Sequence, residues 1–498
     1  MNHLISAAEM RLCEERNFAA GTADALELMH IAGCSCADQL LKFMKSQPQC
    51  RRIVIFSGHG NNGGDGIVMA SQLVKMQDLP VILVLAKPPE TLSPGSSYYF
   101  KQLPGQVNVQ SPLAVKLNRS DLIVDALLGT GCQAPMREPY RQLIELINQS
   151  HAAVLAVDIP SGLGSDLCVK ANMTVTIGYF KDILFSDAGI QNCGRLRRVT
   201  LPLPLTAEIP ENAPLVTDSK WLVKNSVKLP NDIHKYQRGK VLILGGSQKY
   251  VQAPFLSGRA ALRNGAGLVE LGVPFAASPG CGTLSLIVTQ LPETDGFLNK
   301  NALETIAQNW QKTAVIAAGP GLGRTPDTVE FIRLLLQSQK PLVLDADALF
   351  CASQMPELLA QRSYTTILTP HRGEAAVLAA AFDLTLSGND LQDARQLAKC
   401  CKAVVLLKGP RTVIADPDGN AFINSSGTPA LATAGSGDVL TGMIAAELLR
   451  YPPLTAAARG AFLHGAAGEI AEQTWGTCGV IADDLPEFSA RARQQILL

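Results

Sequence analysis

Residues 51–76 read RRIVIFSGHGNNGGDGIVMASQLVKM. The run IVIF, residues 53–56, has the continuous apolar and β-branched character of a strand covered on both faces. The run GIVMASQLVKM, residues 66–76, carries helical spacing, and between the two lies the glycine loop GHGNNGGDG, residues 58–66. Strand, glycine loop and helix in that order open a parallel α/β unit.

Outward from this stretch the same grammar continues. LPVILVLA (79–86), SDLIVDALLG (120–129) and AAVLAVDIPSG (152–162) read as further strands, and YRQLIELINQS (140–150) as a helix. The pattern fades after Pro204, in TAEIPENAPLVTDSKWLVKNSVKLPNDIHKY (206–236), where prolines and polar residues predict a linker. A second series opens at GKVLILGGS (239–247) and runs through LVELGVP, TAVIAAGPGLG, KPLVLDADALF, YTTILTPHRGE and AVVLLKG. RTVIADPDGNAFIN (411–424) reads as a hairpin around Asp418 and Gly419, and two helical stretches follow. The expectation is an α/β protein of two three-layer αβα domains, residues 1–212 and 219–498.

Composition sets limits. The 498 residues hold 43 Lys plus Arg against 43 Asp plus Glu, so no net field favours nucleic acid or an anionic membrane, and anions must be held by local devices. The start, MNHLISAAEMRLCEERN, has no apolar core of the kind a signal peptide needs, and no later stretch is long and apolar enough for a transmembrane helix. A cytoplasmic protein is expected, its 12 scattered cysteines reduced and without a zinc-type pair. Self-association stays open.

In the first half, glycines at 58, 60 and 63 let the backbone turn close to a phosphate at a helix N-terminus. An ordinary dinucleotide site also wants an acidic residue about 20 positions on, at the end of the next strand. Here that strand ends Leu85, Ala86, Lys87, so a dehydrogenase is disfavoured. The pair Asn61 and Asn62, followed by Gly63, Gly64 and Asp65, adds directed polar contacts that a bare phosphate loop does not need. Further strand ends supply Asp125 with a Gly129-Thr130-Gly131 loop, and Asp158 with Ser161. In a parallel sheet these carboxyl ends share one edge, where ligands bind; turn formation alone is the other account of such residues.

This constellation resembles the NAD(P)H-hydrate epimerase family, which shares the NNGGDG string, the LMxxAG stretch at residues 28–33, the G-T-G loop and DIPSG. The resemblance spans about residues 5–205 and implies a Rossmann-like domain. It implies that Asn61, Asn62, Gly63, Gly64 and Asp65, with Gly129, Thr130, Gly131, Cys132, Gln133, Ala134 and Pro135, hold the dinucleotide. It further implies potassium on Asn62, Asp125 and Ser161, a set of hard oxygen ligands, and Asp158 touching the hydrated ring as acid/base. After SGL the chain runs GSDLCVKANMTVTIGYF, shorter than the family's usual turn.

In the second half, ATAGSGDVLTGMIAAELL (432–449) sets Gly435, Ser436 and Gly437 before a helix with Asp438 in its first turn. Such N–H groups can hold phosphoryl oxygens while the carboxylate takes a proton from an attacking hydroxyl. A strand end upstream supplies Lys408, Gly409, Pro410, Arg411 and Thr412. Together they resemble the ribokinase-like superfamily. HKYQRGKVLILGGS, AALRNGAGLV, GPGLG and TPHRGE narrow the resemblance to ADP-dependent NAD(P)H-hydrate dehydratases, over residues 228–490. It implies that Lys408, Gly409, Pro410, Arg411, Thr412 and Gly437 hold the AMP moiety of ADP, and that Ala253, Gly323, His371 and Asp438 meet the hydrate, with magnesium on the phosphates. Asp438 is the expected catalytic base. Gln252 stands where many relatives carry glycine, and Asp345 and Asp347, as well suited to capping the next helix as to acting, are left outside the site.

The function implied is repair of hydrated NADH and NADPH: epimerisation of the R and S forms, then dehydration of the S form at the expense of ADP. The alternative is a small-molecule kinase of the ribokinase-like superfamily with a non-catalytic nucleotide-binding first domain.

Overall fold

A computed structural model describes residues 3–131, 134–204, 212–274, 285–307 and 310–497. The chain divides into two units, Met1–Glu211 and Asn212–Leu498. In the first, the strands are β1 (Arg52–Ser57), β2 (Val81–Leu85), β3 (Asn108–Gln110), β4 (Asp121–Ala126), β5 (Ala153–Val157), β6 (Met173–Ile177) and β7 (Arg195–Val199). They form one seven-stranded sheet in the order β3-β2-β1-β4-β5-β6-β7, every pairing parallel.

Helices α1 (Ala25–Met44), α2 (Asn61–Met76) and α3 (Tyr140–Gln149) cover it. Alternation along β1 assigns the layers. Ile53 and Ile55 share a core with Leu40 of α1 and Ile67 and Leu73 of α2. Val54 and Phe56 point the other way and pack with Leu143, Ile144 and Ile147 of α3. All four β1 side chains are fully buried, which explains why this strand shows no polar alternation.

The first turn of α2 is NNGGDG, and three glycines there cost about 1 kcal/mol each relative to alanine. Burial of Ile67, Met69 and Leu73, at about 1.5–3 kcal/mol per side chain, offsets that loss. The glycines answer to space. A Cβ on Gly63 would lie 2.0 Å from the Gly58 carbonyl oxygen, so no other residue lets the loop close against the helix. Just past the carboxyl end of β6, Leu4–Ile5 pairs with Phe180–Lys181, which draws the N-terminal helix Ala7–Ala19 toward that segment.

The second unit contains β8 (Leu215–Thr217), β9 (Lys240–Leu244), β10 (Leu268–Val273), β11 (Ile287–Gln290), β12 (Val315–Ala318), β13 (Leu342–Leu344), β14 (Thr366–Leu368), β15 (Val404–Leu407), β16 (Val413–Ala415) and β17 (Ala421–Asn424). They build a ten-stranded sheet in the order β8-β17-β16-β15-β14-β13-β12-β9-β10-β11. Only β16 runs antiparallel to its neighbours, and β16–β17 is the hairpin expected from DPDG, with Gly419 at φ +89°. Helices α4 (Ala253–Arg263), α5 (Arg372–Ala381), α6 (Ser436–Leu448) and α7 (Pro453–Trp475) complete the elements that matter here. Val241 and Ile243 pack with Ile444 of α6 and Ala458 of α7.

One stretch departs from expectation. Inside the segment read as a linker, β8 pairs in parallel with β17 and Val216 is fully buried. Three residues are too few to display a period, and their partner lies some two hundred positions away.

Candidate active sites

In the first unit the carboxyl ends of β1, β4 and β5 converge. The N-terminus of α2 has no side-chain cap, leaving its first N–H groups for a ligand. A side chain built on Gly129 would meet Asn62 Cβ at 3.6 Å, so the two glycine loops face each other. Among the described residues, both polar atoms of the Asn62 amide are buried without a hydrogen-bond partner. Such a group costs about 1–3 kcal/mol unless something satisfies it.

Asp125 is fully buried at the end of β4. Its carboxylate accepts hydrogen bonds from Ser161 Oγ at 2.6 Å, Ser161 N at 2.8 Å and Leu127 N at 3.2 Å. Burial nevertheless prevails over these donors and raises its pKa to about 6. The shortened segment after Ser161 is anchored through Asp166, which accepts from Met136 N at 2.8 Å and pairs with Arg141. Ala134 and Pro135 are exposed; Cys132 and Gln133 lie outside the described residues.

Asp158 occupies the left-handed region at φ +65°, an unusual conformation for a non-glycine residue and one that clusters at functional sites. Its Oδ1 accepts from Ile177 N at 3.1 Å and Thr176 Oγ1 at 3.3 Å, and it pairs with Lys181. The Lys181 side chain is 1% exposed and also donates to the Ile177 carbonyl at 2.5 Å and Thr176 Oγ1 at 3.2 Å. Asp65 lies in the field of this pair: burial first, then Asp158 and Glu14, hold its carboxyl well above the usual range against the opposing pull of Lys181. Glu14 is raised for the same leading reason. Lys181 and Glu14 were missed in the sequence; the available signal was a lone lysine in the apolar run TIGYFKD.

In the second unit the GSG turn opens α6 with Gly435 at φ +87° and no side-chain cap. A residue with a Cβ is strained in that conformation. Lys408 Nζ donates to Asp345 Oδ1 at 2.7 Å, and Thr441 Oγ1 donates to Asp345 Oδ2 at 2.6 Å. A Cβ on Gly437 would lie 3.5 Å from Lys408 Nζ and 3.7 Å from Asp345 Oδ2, so turn, cation and carboxylate form one cluster. Burial works to discharge Lys408, but Asp345 and Glu374 beside it prevail and raise its pKa. Asp345 therefore belongs to the site. It sits at a strand end, the signal that singled out Asp125 and Asp158.

Asp438 makes no side-chain hydrogen bond among the described residues, and its backbone carbonyl accepts from Ser257 Oγ at 2.7 Å. Burial, with Asp345 next, raises its pKa to about 7 against the pull of Lys408. Asp347 holds Gly323 N at 2.9 Å and Arg324 Nε at 2.6 Å, so it positions the GPGLG loop rather than serving only as a cap. Thr412 Oγ1 donates to the Gly409 carbonyl at 3.0 Å; Gly409 and Pro410 are exposed while Arg411 is buried. Ala253 begins α4. Gln252 precedes it in ordinary right-handed conformation at φ −88° with its side chain in solvent, so glycine is not required there.

His371 does two things. Its Nδ1 accepts from Gly373 N at 3.0 Å and Glu374 N at 3.2 Å, capping α5. It also lines a cavity of about 110 Å³ with Arg324, Phe350, Gly373, Glu374 and Val377.

A family model described as NAD(P)H-hydrate dehydratase matches residues 241–491, and one described as YjeF-related protein N-terminus matches residues 25–183. A bifunctional NAD(P)H-hydrate repair enzyme from Moorella thermoacetica is 36% identical over 98% of this chain and 96% of its own. The chain belongs to the bifunctional NAD(P)H-hydrate repair enzymes. Another member, from Salinibacter ruber, is 34% identical over 98% of this chain and 95% of its own. An ADP/ATP-dependent NAD(P)H-hydrate dehydratase from Bacillus subtilis, co-crystallised with ATP and magnesium, is 26% identical with a TM-score of 0.44, covering 58% of this chain and all of that one.

In this repair enzyme the first unit is the epimerase half, Rossmann-like, and the second the dehydratase half, ribokinase-like. Relatives matched along nearly the whole chain leave no room for a kinase with a non-catalytic first domain. Among the described residues no helix is long and apolar enough to cross a membrane.

Proposed function

We propose that the two halves act in sequence on hydrated NADH and NADPH, the first interconverting the R and S epimers and the second dehydrating the S epimer with ADP. The observation that carries this reading is the placing of Asp438, a half-buried carboxylate without a hydrogen-bond partner among the described residues, at an uncapped helix start beside Lys408.

In the dehydratase half, Gly437 and the segment Lys408, Gly409, Pro410, Arg411 and Thr412 hold the nucleotide. Ala253, Gly323 and His371 hold the hydrate. Asp438 takes the proton of the hydrate hydroxyl, whose oxygen attacks the terminal phosphorus of ADP as the bond to AMP breaks. The GSG amides stabilise the charge on the transferred group. The ring nitrogen then expels phosphate and the adjacent carbon gives up a proton, leaving the repaired dinucleotide, AMP and phosphate. Magnesium, when bound, supplies charge neutralisation between the phosphates.

In the epimerase half, Asn61, Asn62, Gly63, Gly64 and Asp65 face the second glycine loop across the dinucleotide. Asp158, oriented by Lys181, is the acid/base that moves the proton on the hydroxyl of the hydrated carbon, the transfer needed whether inversion runs through loss and re-addition of water on the other face or through ring opening. Potassium would be held by Asn62, Asp125 and Ser161. The unpartnered Asn62 amide and the buried Asp125 fit a weakly charged cation, which would offset the Asp125 charge.

Both epimers of hydrated NADH, incubated with the protein, test the reading. With ADP, reduced-nicotinamide absorbance should recover fully from either epimer; without it, only the epimer ratio should move. A stable phosphorylated hydrate would overturn the dehydratase chemistry.

A further inference from the structure

The order β3-β2-β1-β4 places the reversal of strand order between β1 and β4, above the glycine loop. A dinucleotide at such a crevice lays its adenosine half over the carboxyl ends of the first two strands. There the residue ending the second strand meets the ribose: a carboxylate accepts the 2′-hydroxyl, and a cation admits a 2′-phosphate. Here β2 ends at Leu85, its end held beside β1 by Ala86 N donating to the Ser57 carbonyl at 2.9 Å. Two residues beyond Leu85 stands Lys87, half-buried.

Lys87 makes no ion pair among the described residues; its Nζ lies 5.6 Å from the centre of the Tyr140 ring. Tyr140 Oη is 2.5 Å from Nδ1 of His59, a residue of the glycine loop. The loop after β2 is tied to that same loop, since Ser93 N donates to the His59 carbonyl at 2.7 Å. Burial, and then the Lys87 charge, lower the His59 pKa, which sets the imidazole within the field of the ammonium. An ammonium and an imidazole, the latter held by the hydroxyl of the buried Tyr140, thus converge where the ribose edge would lie. The ammonium favours a dianion over a lone 2′-hydroxyl, because a charge-assisted bond to phosphate is about twice as strong as a neutral one.

We propose that Lys87, with His59 and Tyr140, forms a 2′-phosphate subsite, so that the epimerase half favours the hydrate of the 2′-phosphorylated dinucleotide over that of the unphosphorylated one. The proposal rests on the reading of the first unit as an epimerase.

The full chain, without nucleotide so that dehydration is idle, is given each hydrate separately and the epimers are resolved by chromatography. The wild type should show about tenfold or higher kcat/KM for the phosphorylated hydrate, carried by KM, a size in keeping with charge-assisted phosphate contacts. Lys87→Ala should raise KM for that hydrate about tenfold and shift KM for the other by less than about twofold; Lys87→Glu should reverse the preference. Adenosine 2′,5′-bisphosphate should inhibit the wild type better than AMP, and the two should inhibit Lys87→Ala alike. Equal KM for the two hydrates in the wild type, or equal losses on both in Lys87→Ala, would overturn the subsite. Absence of interconversion with either hydrate would instead overturn the epimerase reading, and the subsite with it.

Discussion

Asp345 bridges Lys408 and Thr441: one carboxylate oxygen accepts from Lys408 Nζ at 2.7 Å and the other from Thr441 Oγ1 at 2.6 Å. The carboxylate ties the ends of β13 and β15 to the first turns of α6. Its side chain is 2% exposed and that of Lys408 20%, so water cannot replace either partner fully. The cluster of Asp345, Lys408 and Thr441 is thereby held together by its own bonds.

Removing the bridge should be felt as stability. Asp345→Ala leaves the Lys408 charge without its main counterpart, and breaking a buried pair costs about 3–5 kcal/mol; the partial exposure of Lys408 argues for the lower end, about 3 kcal/mol. Urea unfolding of the dehydratase half should report that loss. Asp345→Asn, which keeps an acceptor for Thr441, should lose less. Equal stability of Asp345→Ala and wild type would remove the bridge from the fold's support.

Asp438→Asn should abolish dehydration while ADP still binds, because amides and the 408–412 segment hold the nucleotide without the carboxylate. Turnover should fall by about two to four orders of magnitude with ADP affinity by calorimetry little changed. The active form of Asp438 is the carboxylate and its pKa is raised to about 7. Hence kcat/KM should rise with pH through about 7 and level above it. The same limb persisting in Asp438→Asn would assign it to another group.

Asp158→Asn should slow epimerisation by about 100-fold or more and leave dehydration of the S epimer intact. Lys181→Met should also slow it, because the ammonium that holds Oδ1 of Asp158 is gone, with S-epimer dehydration again serving as the folding control. Epimerisation at the wild-type rate in Lys181→Met would make the ion pair purely structural.

Separated halves should each keep one activity: residues 1–212 interconverting epimers without nucleotide, and the second unit consuming the S epimer with ADP. The second cut matters. A fragment beginning at 219 lacks β8, leaving the β17 edge open and losing the bonds of Thr217 with Asn424 and Ser425. It should melt at a lower temperature than one beginning at 212. Identical melting would mean that β8 adds nothing.

What the chain alone determined was local. Continuous apolar runs specify strands buried on both faces, and NNGGDG and GSGD are read within six residues, so both α/β units and the glycine turns that open their helices were legible. Tertiary structure decided the pairings. Lys181 reaches Asp158 across 23 positions, and Asp345 reaches Lys408 across 63 and Thr441 across 96. Likewise β8 finds β17 across the length of its unit. None of these has a sequence period, because each residue's identity is set by a partner that only the parallel sheet brings alongside. A buried charge acquires its role from the field of its neighbours, and those neighbours exist only in the folded chain.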